Sequence, residues 1–108
     1  MSLASNTVIE LVKAGKLRIT EHGQEALLDD GIGLDEILLG IADAHEIEYY
    51  PDAFKGPSVL LLQKIRNDQT IHVLWGLSKS NADVASLITA YFPNVDKWYD
   101  GFMKRRPK

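Results

Sequence analysis

His22, His45 and His72 are the side chains of this 108-residue sequence best suited to move protons near neutral pH. An imidazole works as acid or base only where it reaches the proton it transfers, so the surrounding elements decide what each can do. His72 sits in I-H-V, opposed to Ile71 and Val73 on a strand. It either faces a groove as an acid–base group or is a satisfied polar residue on an outer sheet face. His22 stands at a helix entry. There it is either an acid or base in a groove between helix and sheet, or a residue bonded to nearby backbone. His45 reads as the end of a helix, where an imidazolium suits the dipole, and is given a structural place. Tyr91 closes an apolar run two residues before Pro93. Its hydroxyl can bond a phosphate or assist proton transfer, or its ring packs on the core and its tip stays wet.

Positive charge gathers late in the sequence, at Lys104, Arg105, Arg106 and Lys108, with Lys64 and Arg66 near a turn. These cations can hold phosphates or an acidic partner, or they complement a helix C-terminus. The histidines are separated by 23 and 27 residues, which fits no compact ligand motif, and there is no cysteine. Asp29 with Asp30, or Glu46 with Glu48, reads as a solvated edge rather than a cation site. No metal and no cofactor is therefore expected. The sequence has no P-loop, dinucleotide fingerprint, serine elbow or HExxH. The G-I-G at residues 31–33 joins two helices.

The absence of cysteine excludes a disulfide framework and a thiol nucleophile, and suits a reducing cytoplasm. No apolar run is long enough to span a bilayer, and the N-terminal residues lack a signal-peptide pattern. The net charge of −3 is polarised: residues 1–54 carry −8 and residues 55–108 carry +5. Such a chain either presents one acidic and one basic face or has acidic helices before a neutral sheet and a basic tail.

Residues 7–14 read as a helix, with Thr7 and Glu10 at capping-box spacing and Gly15 as its stop. Residues 16–20 are short and extended. A second helix opens at Thr20 or Glu21, runs through Asp29 and ends at Gly31. A third covers residues 34–44, with Ile37, Leu38 and Ile41 on one stripe. The period then changes. Residues 46–50 alternate as an edge strand; another chain could pair there, and its two glutamates oppose that. Residues 51–57 form a loop. Residues 58–66 are a central strand, apolar on both faces from Val59 to Leu62. An Asn-Asp turn leads to a hairpin partner over 71–77, a polar loop over 78–83 and a fourth strand over 84–91. After Pro93, Asn94 or Asp96 caps a short helix that Trp98, Phe102 and Met103 anchor. Trp75 and Trp98 are expected as packing anchors. The expected class is α+β: N-terminal helices, a four-stranded antiparallel sheet and a C-terminal helix, in one domain over residues 1–108.

The stretches I-T-E-H (19–22), D-G-I-G-L-D-E-I (30–37), E-I-E-Y-Y-P-D (46–52), G-P-S-V-L-L (56–61), I-H-V-L-W (71–75) and I-T-A-Y-F-P with a following K-W (88–98) come in a characteristic order. Over residues 17–106 the chain resembles a bacterial domain-of-unknown-function family, the one numbered four-two-five-eight; residues 1–16 are an extra helix. Members of that family resemble the BrnT-like and RelE-like toxin ribonucleases. The resemblance implies that fold and, as the activity to look for, metal-free RNA cleavage. On that reading His22 and His72 are the acid–base candidates, Tyr91 an assisting hydroxyl, and Arg66, Lys104, Arg105 and Arg106 the phosphate contacts. The resemblance also implies arginines four and eight residues after the first histidine, where Ala26 and Asp30 stand here. RNA and an antitoxin-like protein are the expected partners, with no membrane. The alternative is a non-catalytic protein-interaction module on the same fold, with the basic tail and the 51–57 loop as its contact surface.

Overall fold

The computed structural model describes residues 1–80 and 83–107. Part of the expected 78–83 loop, and Lys108 of the basic tail, lie outside the described residues. Three helices come first: α1 (Leu3–Lys13), α2 (Glu21–Asp30) and α3 (Leu34–Gly40). Strand β1 (Leu17–Ile19) separates the first two. Then follow β2 (His45–Tyr50), β3 (Ser58–Lys64), β4 (Thr70–Leu77), β5 (Ala85–Tyr91), β6 (Trp98–Tyr99) and β7 (Lys104–Arg105).

The α+β class holds, but the sheet differs from the expected one. It has five strands in the order β1-β5-β4-β3-β2, and β1 runs parallel to β5 while the other pairs are antiparallel. The extended residues after α1 are thus a strand, completed by a partner 68 residues away: Arg18 pairs with Ser86. The expected C-terminal helix is also replaced. After Pro93 the chain turns on Asn94, whose side-chain oxygen accepts from Asp96 N at 2.8 Å, and then forms the β6–β7 hairpin. Asp100, Gly101 and Phe102 hold φ of 55°, 67° and 67°, and three consecutive left-handed residues cannot propagate a right-handed helix.

Local chemistry sets the helix limits. α1 begins earlier than its Thr7 spacing suggests, because Ser2 Oγ accepts from Ser5 N at 3.1 Å and supplies the cap. Thr7 is interior and donates to Leu3 O. Thr20 caps α2, and Gly31, at φ 65°, closes it. α3 stops at Gly40, a poor helix former, and the chain tightens into a 3-10 turn over Ile41–Asp43. His45 is consequently the first residue of β2, not the end of a helix.

One apolar core lies between the helices and one sheet face. Val8 and Val12 of α1, Leu27 of α2 and Ile37 of α3 meet Val59, Leu61, Ile71, Val73, Trp75 and Leu87. Buried Gln63 ties the layers together: its amide donates to Ile37 O at 2.8 Å and its oxygen accepts from Trp75 Nε1 at 3.2 Å. On the opposite face, cross-strand rows place Leu62, His72 and Tyr91 side by side, and Leu60 beside Leu74. The β6–β7 hairpin packs on this second face through Trp98, which is 3% exposed. In β2 a bulge skips Ile47, so Glu46 pairs with Leu61 and Glu48 with Leu60. Two glutamates two residues apart thereby face opposite sides of the sheet.

Candidate functional site

His72 is fully buried. Its Nε2 lies 2.9 Å from the Phe102 carbonyl oxygen and its Nδ1 lies 3.2 Å from the Tyr91 hydroxyl. A carbonyl only accepts, so Nε2 carries the proton and Nδ1 accepts from Tyr91. Both ring nitrogens are used. Trp98 stands edge-on at 4.4 Å between ring centroids. Burial lowers the His72 pKa; the Phe102 carbonyl and Glu48 oppose this and Arg105 adds to it. The imidazole is held neutral. Burial likewise raises the pKa of Tyr91.

Arg105 closes this cluster from above. It grips Glu48 with two hydrogen bonds, at 2.8 and 3.2 Å, and its guanidinium lies 4.5 Å from the Trp98 ring centroid. The Arg105 hydrogen bond is the main reason the Glu48 pKa is lowered. Tyr50 also donates to Glu48, and burial together with that bond pushes the phenol up to about 12.

The other expected phosphate contacts have internal partners. Lys104 pairs with Asp100 at 3.7 Å, and Arg106 donates to Val95 O at 2.8 Å beside the Tyr99 ring. Arg66, at the β3–β4 turn, meets Glu36 at 3.3 Å. The structure brings together His72, Tyr91 and Arg105, but under a cover, and it leaves His22 elsewhere.

His22 is exposed on the first turn of α2 and lines a groove of about 470 Å³. Arg18 enters from β1, Phe54 and Lys55 from the 51–57 loop, and Ser58, Ser78 and Ser86 from the strands and their ends. Arg18 is fixed by its Nε bond to Ser86 Oγ at 2.8 Å. No carboxylate occurs among the described residues of the lining. Gly76, in its floor, is four residues along β4 from His72, about 13 Å at the rise of a strand. His72 is not among the described residues lining this groove, so the two histidines do not open onto the same space.

Arg18 and Lys55 are the residues that sequence reasoning missed as a pair. They lie on separate segments, and nothing in their spacing announces that β1 docks beside β5. The available signal was weak: extended residues just before a capped helix, and the G-P that anchors the 51–57 loop.

Among the described residues no cluster of three metal-ligating side chains occurs, and no helix is long and apolar enough to cross a membrane. A family model described as "Domain of unknown function (DUF4258)" matches residues 19–92. No curated protein and no solved structure matches the chain. The matched segment contains His22, His72 and Tyr91; α1 and the β6–β7 hairpin lie outside it.

Proposed function

The chain belongs to the DUF4258 family, and from that premise we propose that it is an RNA-binding domain of the ribonuclease type that holds RNA in the His22 groove without cleaving it efficiently. One observation carries the reading: Arg18, His22 and Lys55 converge on a hydroxyl-lined groove whose described lining has no carboxylate. Phosphates are held by cations such as Arg18 and Lys55, with hydroxyls supplying neutral hydrogen bonds. The likeness to BrnT-like and RelE-like toxins, itself part of the proposal, supports RNA as the polyanion.

The groove is not equipped for fast cleavage. Attack by a 2′-OH calls for a base, departure of the 5′-oxygen calls for an acid, and each contributes about 10²–10⁴-fold. His22 alone can fill one of those roles. His72 is occupied on both nitrogens, and the positions where the family resemblance implies further arginines are Ala26 and Asp30. Thr20, also in the lining, uses its hydroxyl to bond Leu87 O and to cap α2. The reading is a degenerate ribonuclease site that retains phosphate binding.

The test is fluorescence anisotropy with labelled RNA across a salt series, beside a metal-free cleavage assay. Binding should weaken with salt by a log–log slope of about −0.7 per phosphate neutralised, and Arg18→Gln with Lys55→Gln should reduce that slope. Cleavage should be slow and unaffected by His72→Gln. Rapid cleavage abolished by both His22→Ala and His72→Ala would overturn the degenerate reading and return both histidines to the chemistry.

A second reading, the protein-interaction module with an antitoxin-like partner, is favoured by one feature. β2 is an edge strand, and its outer backbone groups offer a pairing template. A purified protein that binds no RNA at low salt would favour it.

A further inference from the structure

We infer that the groove takes single-stranded rather than duplex RNA, with one base stacked on Phe54 and the adjoining phosphates held by Lys55 and Arg18. The inference rests on the groove being an RNA site and goes further by naming the strand state and the residue that reads it.

Phe54 is 91% exposed, the most exposed large apolar side chain of the described structure. Its loop is nonetheless tied down. Gly56 N donates to Ala53 O at 3.0 Å, and Lys79 N donates to Lys55 O at 3.1 Å. Gly56 has φ +136°, and a Cβ placed there would lie 1.9 Å from Leu77 O. The loop thus presses its backbone onto the end of β4, where only glycine fits. A phenyl ring exposed on a backbone-anchored loop is a fixed stacking platform. Its sequence neighbour Lys55 supplies charge within the same groove.

Every base has a π-face, so an aromatic ring beside cations suits a single strand of any sequence. A duplex keeps those faces stacked against each other and offers the ring only edges and sugars. The groove also continues. A second hollow of about 230 Å³ adjoins it and shares Arg18, Ser78 and Ser86. Arg18 therefore stands between two spaces, the place for a phosphate with a nucleotide on either side.

The experiment compares a short unstructured oligoribonucleotide with the same sequence annealed to its complement, by anisotropy against wild type, Phe54→Ala, Phe54→Trp and the Arg18→Gln/Lys55→Gln double variant. Phe54 is exposed, so its replacement leaves the core untouched. Phe54→Ala should weaken single-strand binding by about 5- to 150-fold, the range for loss of one stacked base, with the salt slope unchanged. Phe54→Trp should restore or exceed wild-type affinity. The duplex should bind more weakly and not respond to Phe54. Salt-dependent binding that needs Arg18 and Lys55 but ignores Phe54, or that favours the duplex, would overturn this inference and leave the RNA-binding reading standing. No binding of either RNA by wild type would overturn both.

Discussion

Trp98→Ala tests whether packing or charge holds the β6–β7 hairpin over His72. Trp98 is 3% exposed although it lies outside the main core, and its contacts are the His72 ring at 4.4 Å and the Arg105 guanidinium at 4.5 Å. Truncating a buried tryptophan costs about 3–5 kcal/mol, and a two-stranded hairpin can partly collapse into the space, so about 3 kcal/mol is expected. That is a large share of the roughly 5–15 kcal/mol that stabilises a typical domain. Arg105→Ala is the control. Its side chain is 53% exposed and that of Glu48 26%, so solvent screening limits their bidentate pair to about 1 kcal/mol or less. Urea unfolding can be followed by Trp75, which is fully buried in the main core and becomes the sole tryptophan of the variant. Histidine ring NMR gives a second readout. Removing Trp98 opens the cover, so the His72 pKa should rise back toward the ordinary 6.5 as burial is relieved. A loss under about 1 kcal/mol with an unchanged His72 titration would refute the argument. So would an Arg105→Ala loss larger than the Trp98→Ala loss.

Two further predictions concern pH and backbone. Because the His72 pKa is lowered on folding, the unfolded chain binds a proton near pH 6.5 that the native chain refuses. Stability should be flat from there to about pH 8 and fall below pH 6.5, until the native pKa is passed, by at most about 1.4 kcal/mol per pH unit. His72→Gln should remove that dependence. A separate loss should begin only below about pH 4.5, where the glutamates of the unfolded chain take up protons that native Glu46 and Glu48, with lowered pKa, still refuse. For Glu46 burial raises the pKa, but the hydroxyls of Ser2 and Ser5 and the Ser2 backbone outweigh it; for Glu48 the Arg105 bond lowers it. Urea midpoints between pH 4 and 8 for both proteins check the windows. Gly56→Ala should cost about 3 kcal/mol, from positive φ together with the Leu77 carbonyl in the way, whereas Gly31→Ala, with open space around it, should cost about 1 kcal/mol. Thermal unfolding of both variants checks the difference, and equal losses would show that the close approach is not what matters at Gly56.

The helices were legible because their apolar spacing and caps are local: Thr20 and Gly31 bracket α2 within a dozen residues. The β3–β4 pairing was legible for the same reason, through the Asn67-Asp68 turn, both of whose residues adopt positive φ. The pairing of β1 into the sheet was not, since three extended residues carry no periodicity and the partner strand is remote. The region after Pro93 misled because Trp98 and Phe102 are four apart, as on a helix face, and Asn94 and Asp96 resemble caps. The left-handed run at Asp100–Phe102 decides the matter; it is closed locally by Met103 N donating to Asp100 O and tied to the sheet by the His72 bond to the Phe102 carbonyl. At the site, His72 on the outer face was readable from alternation. Its bond to Tyr91 was not, since it depends on register. Phe54, Lys55 and Arg18 come together only once β1 is known.

The bulge at Ile47 settles where a fragment of this chain can be cut. By turning Glu46 and Glu48 to opposite faces, it gives β2 two clasps. Glu46 accepts from Ser2 and Ser5 at the start of α1, and Glu48 holds Arg105 in β7. Both clasped segments lie outside residues 19–92, where the family match ends. Trimming to those limits would strip Ala4, Val8, Ile9 and Val12 from the core, uncover His72 and leave the sheet's outer strand with two orphaned carboxylates. Such a fragment should aggregate or stay unfolded. Modularity in this protein is therefore set by what β2 fastens on either side, and the boundaries drawn by similarity cut inside it.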